Sequence, residues 1–199
     1  MDHGVNGLCA RSSQLNEMNN TELDNLRFPI GKYSRPARID SGQIDEWIKV
    51  IEKFPANVEQ RLRALDKNQL AWIYRPDGWS IAQLVHHCSD SHINSWVRFR
   101  LALTEDNPSI RPYFEDRWAN LPDSLELDVA DSLALLKSLH KKWSSMLRGL
   151  TSEQLVRTYV HPEHGQSFTV HETIGNYAWH CAHHLAHIDL AIESKGEFN

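Results

Sequence analysis

The chain is short of cysteine, of long apolar runs and of positive charge, and each shortage removes a class of function. Its three cysteines, Cys9, Cys88 and Cys181, are scattered and form no CxxC pair. An odd set of this kind is neither a disulfide framework nor a thiolate zinc site. Lysine and arginine number 21 against 26 acidic residues, a net charge of −5. A nucleic-acid partner is therefore not expected, because such proteins carry a basic footprint. No stretch approaches the roughly 18 apolar residues of a membrane span, so no membrane partner is expected either. The first residues lack the basic start and apolar core of a secretory leader, which makes the cytoplasm the expected location. No glycine-rich phosphate loop, GxSxG elbow or HExxH motif is present.

What the chain does have is histidine and tryptophan: 12 His, and 7 Trp against 6 Phe. Its 199 residues suit one domain with a tail. Residues 1–27 are polar and aperiodic, and read as a flexible tail before a single domain over 28–199. Met18 is an alternative start. Residues 28–39 carry Pro29, Gly31 and Pro36, an extended lead-in.

The hydrophobic spacing then predicts helices. Asp40 and Ser41 offer an N-cap before Ile44, Trp47, Ile48 and Ile51, with Pro55 expected to kink or break the helix before Val58 and Leu62. Ser80 and Gln83 form a capping box for a helix to about Thr104, with Ile81, Leu84, Val85, Cys88, Trp96, Phe99 and Leu103 on its apolar face. Residues 105–123 hold three prolines and Tyr113, Phe114 and Trp118, which predicts a long but packed loop. A third pattern runs from about Asp128 to Arg148, closed by Gly149. Two short strands flank Pro162–Gly165 as a small hairpin, and Thr169 with Glu172 caps a last helix to about Ser194. Four long helices and one hairpin make an all-α four-helix bundle. Trp47, Trp96 and Trp143 fall on apolar stripes and read as core, as do Cys88 and Cys181.

Seven histidines fall in two blocks: His86, His87 and His92, then His180, His183, His184 and His187. Histidines four apart on a helix project to one side and can bind one metal. On the last helix His180 and His184 flank the apolar face, while His183 and His187 point further from its centre. His92 lies within the apolar face of its own helix and reads as a hydrogen-bonded core residue. His86 and His87 sit on opposite flanks of that face, and the helical geometry does not choose between them. His87 heads a polar stripe with Ser91, Asn94 and Arg98, the pattern of a helix lining a polar cavity. Asp106 and Asp116 on the long loop could face the same space.

These residues resemble a known family. The runs GWSIAQLVHHCSDSHINSWVRFRLALTEDNPSIRPY (78–113), YAWHCAHHLAHI (177–188) and FPIGKY (28–33) are similar to the YfiT-type branch of the DinB-like superfamily. The resemblance covers nearly everything but the tail. It implies a four-helix bundle binding one divalent metal through three histidines, here His87, His180 and His184. It also implies a homodimer and a small-molecule substrate. Three imidazoles leave a fourth position for water or substrate. Zinc is the first choice, and nickel, iron or cobalt also suit imidazole ligands. The family's usual label implies a metal-dependent hydrolase; Asn94 and Arg98, from their place on the stripe with His87, are expected to orient or stabilise an anionic group. A thiol S-transferase of the bacillithiol-transferase kind and a non-catalytic metal-binding bundle are the alternatives.

Overall fold

The computed structural model of the protein describes residues 19–163 and 165–199. The expected tail as far as residue 18, with Cys9 and Met18, lies outside them. Among the described residues seven α-helices and one hairpin follow in order: α1 (Asn20–Arg27), α2 (Ser41–Leu62), α3 (Ile81–Thr104), α4 (Glu115–Trp118), α5 (Ala130–Arg148), α6 (Ser152–Leu155), β1 (Thr158–His161), β2 (Gln166–Thr169) and α7 (Val170–Ser194). The four long helices α2, α3, α5 and α7 form the bundle. α2 packs on α7 and α5, and α3 packs on the same two. The sequential pairs α2/α3 and α5/α7 therefore lie across diagonals, and the long connections 63–80 and 149–169 carry the chain from one corner to the opposite one.

The caps form where hydroxyl, amide and carboxylate side chains stand beside free amides. Asp40 Oδ1 accepts from the Gln43 amide at 2.9 Å. The boxes Ser80/Gln83 and Thr169/Glu172 close reciprocally, satisfying amides that the first turn leaves unpaired. The core between the helices contains Ile48, Ile51, Phe54, Ile81, Leu84, Phe99, Leu136, Trp143, Ile174 and Ile188. Trp143 is fully buried, whereas Trp47 and Trp96 are partly buried and pack at the core's edge. Cys88 and Cys181 are buried free thiols, and burial pushes both pKa values up, so neither is a nucleophile at neutral pH. α2 meets α7 closely at Gly175, where a Cβ would stand 2.8 Å from the Trp47 ring.

Three expectations about the helices change. The helix around Pro55 neither breaks nor ends there: α2 is continuous through this buried residue. Proline has no amide to give to the carbonyl four residues earlier, that of Ile51, so that carbonyl stays free for another donor. Residues 20–27, read as tail, form the capped helix α1, with Asn19 and Glu22 making a capping box that aperiodic polar residues did not advertise. His183 and His187 are buried rather than turned outward, because residues from outside the four long helices cover them. Phe28 stacks on His183 and Tyr74 on His187.

Residues 105–123 form an ordered connection that includes α4, but only Ile110 and Ala119 are buried, and Phe114 and Trp118 are exposed rather than packed as their aromatic character suggested. Its strand-like start is tied to β1 by Ile110 N–H donating to the Val160 carbonyl at 3.0 Å and Val160 N–H to that of Pro108 at 2.9 Å. The β1–β2 hairpin is antiparallel with Tyr159 opposite Phe168. Its turn contains Gly165 at φ +58°, a left-handed conformation that glycine adopts without strain. Loop and hairpin together wall the space beside α3 and α7. None of the described helices is long and apolar enough to cross a membrane.

Candidate metal centre

α3 and α7 pack against each other, and this contact brings His87 to face His180 and His184. The ring nitrogens that these three histidines offer lie within 4.8 Å of one another. His86, on the other flank of α3, turns away: its nitrogens meet Ser132 Oγ at 2.8 Å and the Glu126 carbonyl at 3.0 Å. The choice the helix geometry left open is thus made by packing. His87 lies under the Trp79 ring, with centroids 4.6 Å apart.

Hydrogen bonds running out to the backbone fix where the protons sit. A carbonyl can only accept, so each chain can be followed inward from its anchor. The Ile51 carbonyl, left free by Pro55, accepts from His140 Nδ1 at 2.6 Å. In a neutral ring that leaves His140 Nε2 as acceptor, and His92 Nδ1–H donates to it at 2.8 Å. His92 Nε2 in turn accepts from His180 Nδ1–H at 3.0 Å. The proton of His180 is therefore on Nδ1, and Nε2 carries a bare lone pair. On the other side the Arg27 carbonyl accepts from His187 Nε2 at 3.1 Å. His187 Nδ1 then accepts from His184 Nδ1–H at 3.4 Å, which leaves His184 Nε2 bare as well.

The two bare nitrogens face each other at 3.2 Å. Neither can donate to the other, so the contact is repulsive without a cation between them. Two imidazoles bound to one zinc at ~2.0–2.1 Å in a tetrahedral arrangement have their nitrogens ~3.3 Å apart. The observed separation fits that donor set. A second group, His183, His184 and His187, also brings nitrogens within 4.8 Å. It competes poorly, because His187 has both nitrogens engaged and His184 would have to give up Nδ1–H. His183 Nδ1 is buried without a hydrogen-bond partner among the described residues.

Burial also keeps these rings neutral. It lowers His87 to about 4, helped by the neighbouring His183, and holds His180 and His184 well below the usual 6.5. Neutral imidazole is the form that binds metal. Since these rings resist protonation in the fold, the unfolded chain takes up more protons as pH falls below about 6.5. This contribution to stability is full above that pH and is lost as pH drops toward about 4. Thermal melting of metal-free protein should therefore show a Tm that falls steadily over that interval. A Tm independent of pH there would mean that the histidines are not buried neutral.

The site opens on one side. His180 and Ser91 line a cavity of about 530 Å³ between α3, α7 and the 105–123 loop, together with Arg98, Glu115, Asp116 and Tyr177. Asp116 thus reaches the space the sequence suggested, whereas Asp106 is exposed and is not among the lining residues. Asn94 bonds back to the Asp90 carbonyl at 2.8 Å and is not among them either. His92 is the hydrogen-bonded core residue expected, and its partners are the rings of His140 and His180. His140 was not singled out from the sequence. Its position on the stripe between Leu136 and Trp143, a polar ring among apolar neighbours, was the available signal.

Residues 51–188 match the DinB superfamily. The chain is 45% identical over 164 residues to YfiT of Bacillus subtilis (strain 168), covering 82% of this chain and 92% of that protein. It is 48% identical over 166 residues to a protein of Bacillus cereus (strain 03BB102), covering 83% and 95% respectively. Both relatives carry a provisional name, metal-dependent hydrolase. The solved structure of Bacillus subtilis YfiT, described as a four-helix bundle of unusual topology, superposes with a TM-score of 0.82 at 44% identity, over 85% of this chain and 97% of that one.

Proposed function

The chain belongs to the DinB superfamily, and from that premise we propose that it is a metal-dependent hydrolase of a small molecule, with one divalent ion held by His87, His180 and His184. The observation that carries this reading is the pair of bare Nε2 atoms of His180 and His184 facing at 3.2 Å, with His87 in reach. A zinc ion so held would supply Lewis-acid chemistry, polarising a carbonyl or phosphoryl group and activating water near neutral pH.

The chain's own groups supply the rest. His92 and His187 hold the two α7 imidazoles in one tautomer and one orientation, so no reorganisation is needed when the ion arrives. The cavity at His180 has a volume within the size range of small-molecule pockets. Glu115, an exposed residue, lines that cavity, and partial loss of hydration there, then the like charges of Asp116 and Glu163, raises its carboxyl.

The test is a screen of ester, amide and phosphoester substrates with zinc-loaded and chelator-stripped protein. The expected result is turnover that disappears on stripping and returns with one equivalent of zinc. Turnover unaffected by stripping would overturn the reading. Turnover that requires an added small thiol would assign group transfer in place of hydrolysis.

A further inference from the structure

On the His87 stripe, Arg98 carries a buried donor that the fold leaves without an acceptor. Its Nε is buried and has no acceptor. Among the described residues no carboxylate comes within ion-pairing distance of it, although six other ion pairs are present. Arg98 is half-buried, and an arginine does not lose its proton, so a buried Nε–H without an acceptor favours an anion beside it.

The surroundings say where that something sits. Arg98 lines the cavity that contains His180, and it also lines a second cavity of about 480 Å³ beneath the hairpin. Asn176 and Tyr177 of α7 border both, so the two spaces adjoin along one wall. Their charge differs. The His180 cavity carries Glu115, Asp116 and Glu163 against Arg98 and Arg117. The hairpin cavity carries Arg98, Arg35 and a single acid, Glu172, which Arg35 already pairs at 3.4 Å. Arg98 borders both spaces, and on the hairpin side it is the cation that Glu172 does not pair. Burial raises the phenols of Tyr113 and Tyr159, and the charge of Arg98 is among the influences opposing that rise, which places both rings near the guanidinium.

We infer that Arg98 anchors an anionic group of the substrate, a carboxylate or a phosphate, in the hairpin cavity, with the rest of the molecule passing Asn176 and Tyr177 to reach His180. A planar guanidinium with free N–H groups matches two oxygens of either anion. The inference rests on the metal-centre reading only for the direction in which the substrate lies. The hairpin then has a role that bundle packing does not require: Tyr159 and Phe168 close the anion's side of the site.

The experiment is calorimetric titration of the full chain with inorganic phosphate and, separately, with succinate. Both are run on zinc-loaded and metal-depleted protein, for the wild type, R98Q and R98K. The expected result is saturable binding of one or both probes in the wild type with and without metal, weakened about tenfold or more in R98Q. R98K, which keeps the charge and loses the fork, should bind several-fold more weakly than wild type, and it decides the matter if R98Q does not fold by circular dichroism. The phosphate and succinate arms show which anion fits. The inference is overturned if neither probe saturates, if both variants bind as the wild type does, or if binding vanishes with the metal and is unchanged in R98Q, which would place the anion on the ion. Arg98-dependent binding in a protein that takes up no zinc would keep this inference and sink the metal-centre reading.

Discussion

His180→Ala should abolish stoichiometric zinc binding, while His183→Ala should leave it intact. The two residues sit one turn apart, and each begins a pair of histidines four apart, His180/His184 and His183/His187, so spacing alone gives the two pairs equal standing. The hydrogen bonds separate them. His180 Nε2 is bare and aimed at His184 Nε2 at 3.2 Å, so its removal takes one of three donors from the ion. Loss of an outer partner costs metal sites roughly 10–100-fold in affinity, and loss of a direct ligand should exceed that range. His183 belongs to the other cluster, where His187 has no lone pair to spare. Zinc-to-protein ratio by mass spectrometry after loading and desalting reads both variants, and circular dichroism checks the fold. Retained zinc in His180→Ala, with loss in His183→Ala, would move the site to the second cluster.

His92→Phe should weaken zinc binding by roughly 10–100-fold although all three proposed ligands remain. His92 is fully buried and touches no expected metal position; it acts by accepting the Nδ1 proton of His180. Without it, His180 can carry its proton on Nε2 and turn its ring, and both changes compete with the ion. The same variant strands His180 Nδ1–H and His140 Nε2, at about 1–3 kcal/mol for each buried unpaired group, so Tm falls as well. Phe54→Leu separates the two effects. The Phe54 ring packs against His92 with centroids 5.1 Å apart but takes no part in the relay. It should lower Tm and leave zinc affinity unchanged. Equal zinc affinity in His92→Phe and wild type would reduce His92 to a packing residue.

Much of this was legible in the chain because caps and periodicity are local. Ser80 with Gln83 and Thr169 with Glu172 marked the starts of α3 and α7, and the apolar stripes gave their faces. The resemblance then gave His87, which α3's own geometry could not choose over His86. That choice needs the neighbour: Ser132 and the Glu126 carbonyl take His86, and α7 faces His87. His183 and His187 were misread because Phe28 and Tyr74, which cover them, lie in segments with no periodicity to place them. Pro55 gives the clearest case of a local rule read too narrowly. Its missing amide was expected to kink or break the helix. In the bundle it frees the Ile51 carbonyl, and His140 on α5 takes that carbonyl at 2.6 Å. The relay that sets His180 thus starts from a proline on α2 and crosses α5 and α3 before reaching α7, a route that no single segment contains.

The most direct test is an anomalous difference map at the zinc edge from a crystal of the full chain grown with one equivalent of zinc. The expected result is one peak per chain, ~2.0–2.1 Å from a ring nitrogen of each of His87, His180 and His184, with a fourth position open toward the cavity. A peak among His183, His184 and His187, or no ordered peak at full zinc occupancy in solution, would contradict the three-histidine centre.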